Sequence, residues 1–192
     1  MSMQCSLCRV NEQQTLQLLA VPDSVNDLLG NSQAPPKSSF LSKIFGRSKK
    51  ENPPERPKLD PVAESEIFEL NQAWHILHYL LSGSDAEGDW PSTFIMFGGQ
   101  EIGQDLGYGP ARLLTKELLD DVAKFLNTQS QQSLDTAYVT QNIEQAKIYW
   151  QVASEPADRK RQIEELWDIV QSMRSFIELT VQSHGSILIQ IY

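Results

Sequence analysis

Apolar positions along the chain fall into blocks of two different periods, separated by stretches with no period at all. From Gln4 to Val10 the residues Cys5, Leu7, Cys8 and Val10 alternate loosely with polar ones, which predicts a first strand. Asn11 stands where a helix N-cap belongs, and Leu16, Leu18 and Leu19 give the helix that runs to Leu19 an apolar side. Pro22 breaks it, and Asp23 to Leu29 reads as a second short helix stopped by Gly30. Periodicity then fails from Asn31 to Ala63, where six prolines occur (Pro35, Pro36, Pro53, Pro54, Pro57 and Pro61). Order returns with a helix from about Glu66 to Ser82, closed by Gly83. On a helical wheel Leu70, Ala73, Trp74, Ile76, Leu77, Leu80 and Leu81 cover an arc of roughly 160°, wide enough for a largely buried helix. The opposite arc holds Asn71, His75, His78 and Ser82, with Gln72 and Tyr79 beside them.

After a polar loop to Trp90-Pro91, the apolar run Thr93 to Phe97 reads as a short buried strand that ends in Gly98-Gly99. Thr115 is placed to cap a helix running to Leu126, with Glu117 in its first turn and Leu118, Leu119, Val122 and Phe125 on its apolar face. Gln129 to Gln132 is a polar break, and Leu134 to Trp150 is a weaker helical stretch. Ser154-Glu155-Pro156 opens the longest helix, which runs to about Ser183 on a stripe of Ile163, Leu166, Trp167, Val170, Met173, Ile177 and Val181. Gly185 ends it, and Ile187 to Tyr192 is a last strand, apolar at nearly every position. The order predicts an α+β fold. One small sheet includes the N- and C-terminal strands, because unpaired apolar strands would strand their backbone groups, and several helices pack on it, the long C-terminal one lying across.

The length of 192 residues suits a single domain, 1–192, with 31–63 as a basic, Pro-rich insertion expected to be mobile and dispensable for folding. Hydrophobic residues at 40% and charged residues at 21% exclude a wholly disordered chain, and a core of this size needs no disulfide scaffold. No apolar run is long enough for a membrane span and no signal peptide is visible, so the expected address is cytoplasmic. The net charge of −9 is unevenly spread: Asn31 to Lys58 carries seven basic and two acidic residues, and the remainder carries nine basic and 23 acidic, leaving −14. An acidic body of that kind repels nucleic acid, so no nucleic-acid partner is expected. Membrane contact is expected, if anywhere, only through 38–50, where Phe40, Leu41, Ile44 and Phe45 lie among cations.

Candidate chemistry is sparse. Cys5 and Cys8 have C-x-x-C spacing without a second pair, and on a strand positions i and i+3 face opposite ways, which reads as two ordinary buried thiols rather than a redox or metal site. His184, near the end of the long helix, has a sufficient role beside the helix dipole. His75 and His78 share a helix face at i, i+3. They read as hydrogen-bonded histidines at a core edge, as a polar site wall, or as two ligands of a metal site that lacks its third; no metal or cofactor is expected. The segment 98–112 is rich in glycine and allows a ligand to approach the backbone, yet Gln104-Asp105 stands where a phosphate loop needs Lys and Ser or Thr. Within it Glu101, Asp105, Tyr108 and Arg112 are close in sequence. Asp105 and Arg112 can pair and lock the loop, or Arg112 can present its fork to an anion or a partner carboxylate with Tyr108 stacking.

The runs Ala73-Trp74-His75-Ile76-Leu77-His78-Tyr79-Leu80-Leu81-Ser82-Gly83 and Gly98-Gly99 through Asp105-Leu106-Gly107-Tyr108-Gly109-Pro110-Ala111-Arg112 resemble the YfbM-like family of bacterial proteins of unknown function. The resemblance covers most of the chain outside 31–63. It implies a compact, intracellular α+β domain with His75, His78, Asp105, Tyr108 and Arg112 as shared polar residues, and it implies no reaction. Two positions depart from the family pattern: Asn71-Gln72 replaces a frequent acidic-basic pair, and Trp150 follows Ile148-Tyr149 where a Pro is usual. The reading that results is a non-catalytic binding or interaction domain, meeting an unknown protein or small molecule on the face of the 66–82 helix and the 98–112 loop through His75, His78, Glu101, Asp105, Tyr108 and Arg112. The alternative is a small enzyme acting on an anionic molecule, with His75 or His78 as acid or base and Arg112 as anion clamp.

Overall fold

A computed structural model describes residues 3–30, 58–146, 148–153 and 155–192. In chain order the elements are β1 (Cys5–Val10), α1 (Glu12–Ala20), α2 (Val25–Leu28), β2 (Ile67–Asn71), α3 (Ala73–Ser82), α4 (Phe94–Phe97), β3 (Gln100–Ile102), β4 (Ala111–Leu114), α5 (Lys116–Thr128), α6 (Gln131–Ala137), α7 (Thr140–Gln145), α8 (Pro156–Gln182) and β5 (Ser186–Ile191), with 3-10 turns at Pro22–Ser24 and Glu64–Glu66. The fold is α+β. The strands form one antiparallel sheet in the order β2-β1-β5-β4-β3, so both terminal strands lie inside it. Their central place explains why β5 is apolar at nearly every position: Ile187, Leu188 and Ile189 are buried on both faces.

The first face of the sheet carries Cys5, Leu7 and Ile189 into a core shared with α3 to α8. The second face carries Cys8, Val10, Leu113 and Leu188 against α1 and α2, through Leu18, Val25 and Leu28. Asn11 caps α1 as expected, accepting from Gln14 N–H at 2.9 Å while the Gln14 side chain bonds back to Asn11 N–H at 2.9 Å. The 27-residue α8 lies on the first face, burying Ile163, Leu166, Val170, Met173, Phe176, Ile177 and Thr180.

Three elements differ from the sequence reading. Residues 67–71, taken as the first turns of a helix from Glu66, form β2, whose alternation sends Phe68 and Leu70 to the first core and Ile67 to the second. Asn71, at φ 48°, turns the chain out of the strand; Asn tolerates this left-handed region better than most residues. The apolar run Phe94–Phe97 is the helix α4 and not a strand, since a run of four apolar residues suits either and tertiary partners decide. The Gly-rich stretch 98–112 is a hairpin, with Gln100↔Leu113, Glu101↔Arg112 and Ile102↔Ala111 in register. Gly99 opens it at φ 89°, and a Cβ there would sit 2.5 Å from the Leu113 carbonyl oxygen.

Smaller differences follow the same logic. Leu134 to Trp150 divides into α6 and α7, and Thr115 makes no side-chain cap, its hydroxyl donating to Glu117 Oε2 at 2.8 Å instead. Of the stretch 31–63, residues 31–57, including the cluster at 38–50, lie outside the described residues. At its end Leu59 and Val62 pack on the second core, and Val62 N–H donates to the Leu28 carbonyl at 2.9 Å.

Candidate functional site

α3 carries two imidazoles, of which His78 meets the end of α4. His78 is fully buried, its ring edge-on to Phe97 at 5.8 Å, and neither ring nitrogen has a hydrogen-bond partner. Burial pulls its pKa down to about 4, and the charges of His75 and Arg112 act in the same direction. His78 is therefore neutral at physiological pH. One turn earlier, His75 is half-buried and stacks on Trp74 at 4.8 Å; its Nδ1 accepts from Tyr149 N–H at 3.1 Å. Its pKa is also lowered by burial, with a hydrogen bond to the Asp85 backbone and the Asp85 charge opposing. The placement of His78 differs from the polar arc expected for it: a helix that starts at Ala73 and lies under α4 buries that position.

Arg112 projects from β4 onto the same face, into the C-terminal end of α4. Its Nη1 donates to the carbonyls of Gly98 at 3.1 Å and Phe94 at 3.3 Å, and its Nη2 donates to the Ile95 carbonyl. A helix leaves its last carbonyls unpaired and carries partial negative charge there, so a guanidinium is a well-suited stopper. The same device recurs twice: Arg174 donates to Leu126 and Gln129 carbonyls at the end of α5, and Arg159 donates to Asp135 and Tyr138 carbonyls at the end of α6. Arg112 thus makes no ion pair with Asp105. Asp105 instead accepts from Gly107 N–H at 2.7 Å and Gly109 N–H at 2.9 Å, closing the hairpin tip on itself, and these bonds hold its carboxyl below the usual range.

The six sequence-nominated residues are therefore divided. His78 and Arg112 meet at α4, with Glu101 directly across from Arg112 in the ladder, while His75 faces Tyr149 and Asp85. Asp105 and the exposed Tyr108 belong to the tip, which leans on the second core through Leu106 and Gly103, whose position is packed against Val25. Sequence reasoning missed three exposed aromatics: Phe97 against His78, Trp90 beside Gly98, and Tyr149, whose N–H meets His75. Among the described residues no three His, Cys, Asp or Glu side chains gather to hold a metal ion, and no helix is long and apolar enough to cross a membrane.

The thiols lie on opposite faces, as the strand reading requires. Burial pushes Cys5 up to about 12 and Cys8 up to about 11. Both stay protonated, and the thiolate is the reactive form. Iodoacetamide at mildly alkaline pH should leave the native chain unmodified by mass spectrometry and label both cysteines once urea is added. Labelling of either under native conditions would show an accessible thiolate.

A family model described as Domain of unknown function (DUF1877) matches residues 1–190. The chain belongs to the DUF1877 family. The fold of this chain is similar to that in the crystal structure of a protein of unknown function, YfbM from Escherichia coli, with 98% of this chain and 99% of that one matched at a TM-score of 0.67 and 14% identity. At that identity the likeness speaks for the fold. No curated protein matches the chain by sequence. Membership in DUF1877 agrees with the resemblance carried by the Trp-His helix and the Gly-rich segment, and it names no reaction.

Proposed function

We propose that the chain is a non-catalytic, cytoplasmic binding domain that meets a protein or small-molecule partner where α3 approaches the start of the 98–112 hairpin. The observation that supports this reading is the set of exposed aromatics, Phe97 (53% exposed), Tyr149 and Trp90, bordering imidazoles and a guanidinium already held by internal contacts. Aromatic side chains dominate contact surfaces because they bury large areas with few rotors to freeze. In this proposal His75 and Glu101 border the contact face, and His78 supports it from below. An anion-clamping enzyme would need Arg112 to release three carbonyl oxygens, and the binding reading needs no such rearrangement. Nucleic acid is not the proposed partner, given the acidic balance of the chain outside 31–58.

The test compares wild type with the double variant Phe97→Ser, Tyr149→Ser, each immobilised and exposed to cell extract and to a metabolite set. The variant should melt close to wild type and lose, by about tenfold or more, at least one ligand that wild type retains. Identical retention by both chains would dismiss this face.

A further inference from the structure

On the second face of the sheet, away from α3, a row of polar side chains interrupts an otherwise apolar surface. The registers Ser6↔Glu69 and Ser6↔Gln190 set these three side by side across β2, β1 and β5. Tyr192 continues the ladder, exchanging backbone hydrogen bonds with Gln4, and two residues beyond Gln190 it faces the same way. Its hydroxyl donates to Glu69 Oε2 at 3.2 Å. Burial, and then the Glu69 charge, raise the phenol pKa, so the proton stays on Tyr192.

This row floors a cleft of about 280 Å³, near the lower end of small-ligand sites, with Leu28 and Val62 among its walls. Glu69 is exposed, with Tyr192 as its hydrogen-bond partner, and Ser6 is buried with only a weak one. Among the described residues no basic side chain pairs with Glu69. Ser6 is only 4% exposed, yet its hydroxyl meets nothing better than the Cys8 thiol at 3.9 Å. A buried hydroxyl with so weak a partner is costly unless something else completes it. The Glu69 carboxylate favours a cation in this concave site.

We infer that this cleft binds a small primary alkylammonium compound carrying a hydroxyl, with its ammonium on Glu69, its chain against Leu28 and Val62, and its hydroxyl on Ser6 and Gln190. One carboxylate with apolar walls selects a short monocation over a carboxylic acid or a neutral alcohol.

Isothermal titration of the full chain with aminopentanol, pentylamine, pentanol and pentanoate tests this. Aminopentanol should bind saturably, several-fold more tightly than pentylamine and more weakly as salt is raised, while pentanol and pentanoate give no saturable heat. Glu69→Gln, which keeps an acceptor for Tyr192, should weaken aminopentanol about tenfold or more with the melt preserved. Gln190→Leu should erase the advantage of aminopentanol over pentylamine, and it serves as the deciding variant should Glu69→Gln fail to fold. Absence of saturable binding by either amine, unchanged affinity in Glu69→Gln, or equal binding of pentanol would overturn the inference.

Discussion

Replacing Arg112 by Met should lower the stability of the chain by about 2–4 kcal/mol, because three main-chain carbonyls lose a charged donor. The guanidinium donates to three main-chain carbonyls at the end of α4, and hydrogen bonds to a charged group contribute roughly 1.5–3 kcal/mol each before partial repair by water. For a chain of this size the melting point should fall on the order of 10 °C. Arg112→Lys should fall between Met and wild type, because one ammonium keeps the charge but cannot fork to carbonyls on separate residues. Asp105 provides the control. It bonds only within the hairpin tip, so the losses in Asp105→Ala and Arg112→Met should add to within about 0.5 kcal/mol. Calorimetric melts of wild type, the three single variants and the Asp105→Ala, Arg112→Met double variant check this. A Met variant that melts with wild type would mean that α4 is held by its apolar contacts alone, and strong non-additivity would restore the loop-locking pair that the geometry replaces.

That role for Arg112 was not legible in the sequence, because its acceptors lie 14 to 18 residues earlier and are chosen by how α4 docks on the sheet. What could be read was whatever local chemistry decides. β1, α1 with its Asn11 and Gln14 box, the 27-residue α8 and β5 appeared close to their observed limits, since each is either capped or long enough for its period to show. β2 was lost because Leu70 fits the apolar arc of α3 as well as it fits a strand, and only pairing with Cys5 to Cys8 separates the two. Losing β2 also hid the row of Ser6, Glu69 and Gln190, which exists only through strand register. A local signal for Asp105 was present: Asp105-Leu106-Gly107-Tyr108-Gly109 offers amides two and four residues on, the pattern in which an aspartate bonds its own turn. His75 is a hydrogen-bonded, half-buried imidazole as the wheel implies, whereas His78 is buried, because α4 covers it from a part of the chain whose apolar run suits a strand as well as a helix.

Lowering the pH from 7.5 to 5 should destabilise wild type relative to His78→Leu by about 2 kcal/mol, and the whole effect is bounded at about 3 kcal/mol. The sign follows from which state holds the proton more tightly. In the unfolded chain the imidazole titrates near its ordinary value of 6.5; in the folded chain burial pulls it to about 4. Between those values the unfolded state takes up a proton that the folded state refuses. The stability that depends on a neutral His78 is thus complete above 6.5 and is lost as the pH falls toward 4. His75 faces His78 from the same helix, Arg112 from β4 and Asp85 from the loop after α3; the first two charges disfavour protonation and only Asp85 favours it. Leu at this position removes both unpartnered nitrogens and fits the apolar surroundings of Phe97 and the first core, so at pH 7.5 it should be neutral or mildly stabilising. Urea denaturation of both chains across pH 5 to 7.5 measures the difference directly, and carboxylates common to both cancel. A difference that stays constant across that range would mean that His78 titrates alike in the folded and unfolded states, which an imidazole sealed between α3 and α4 should not do.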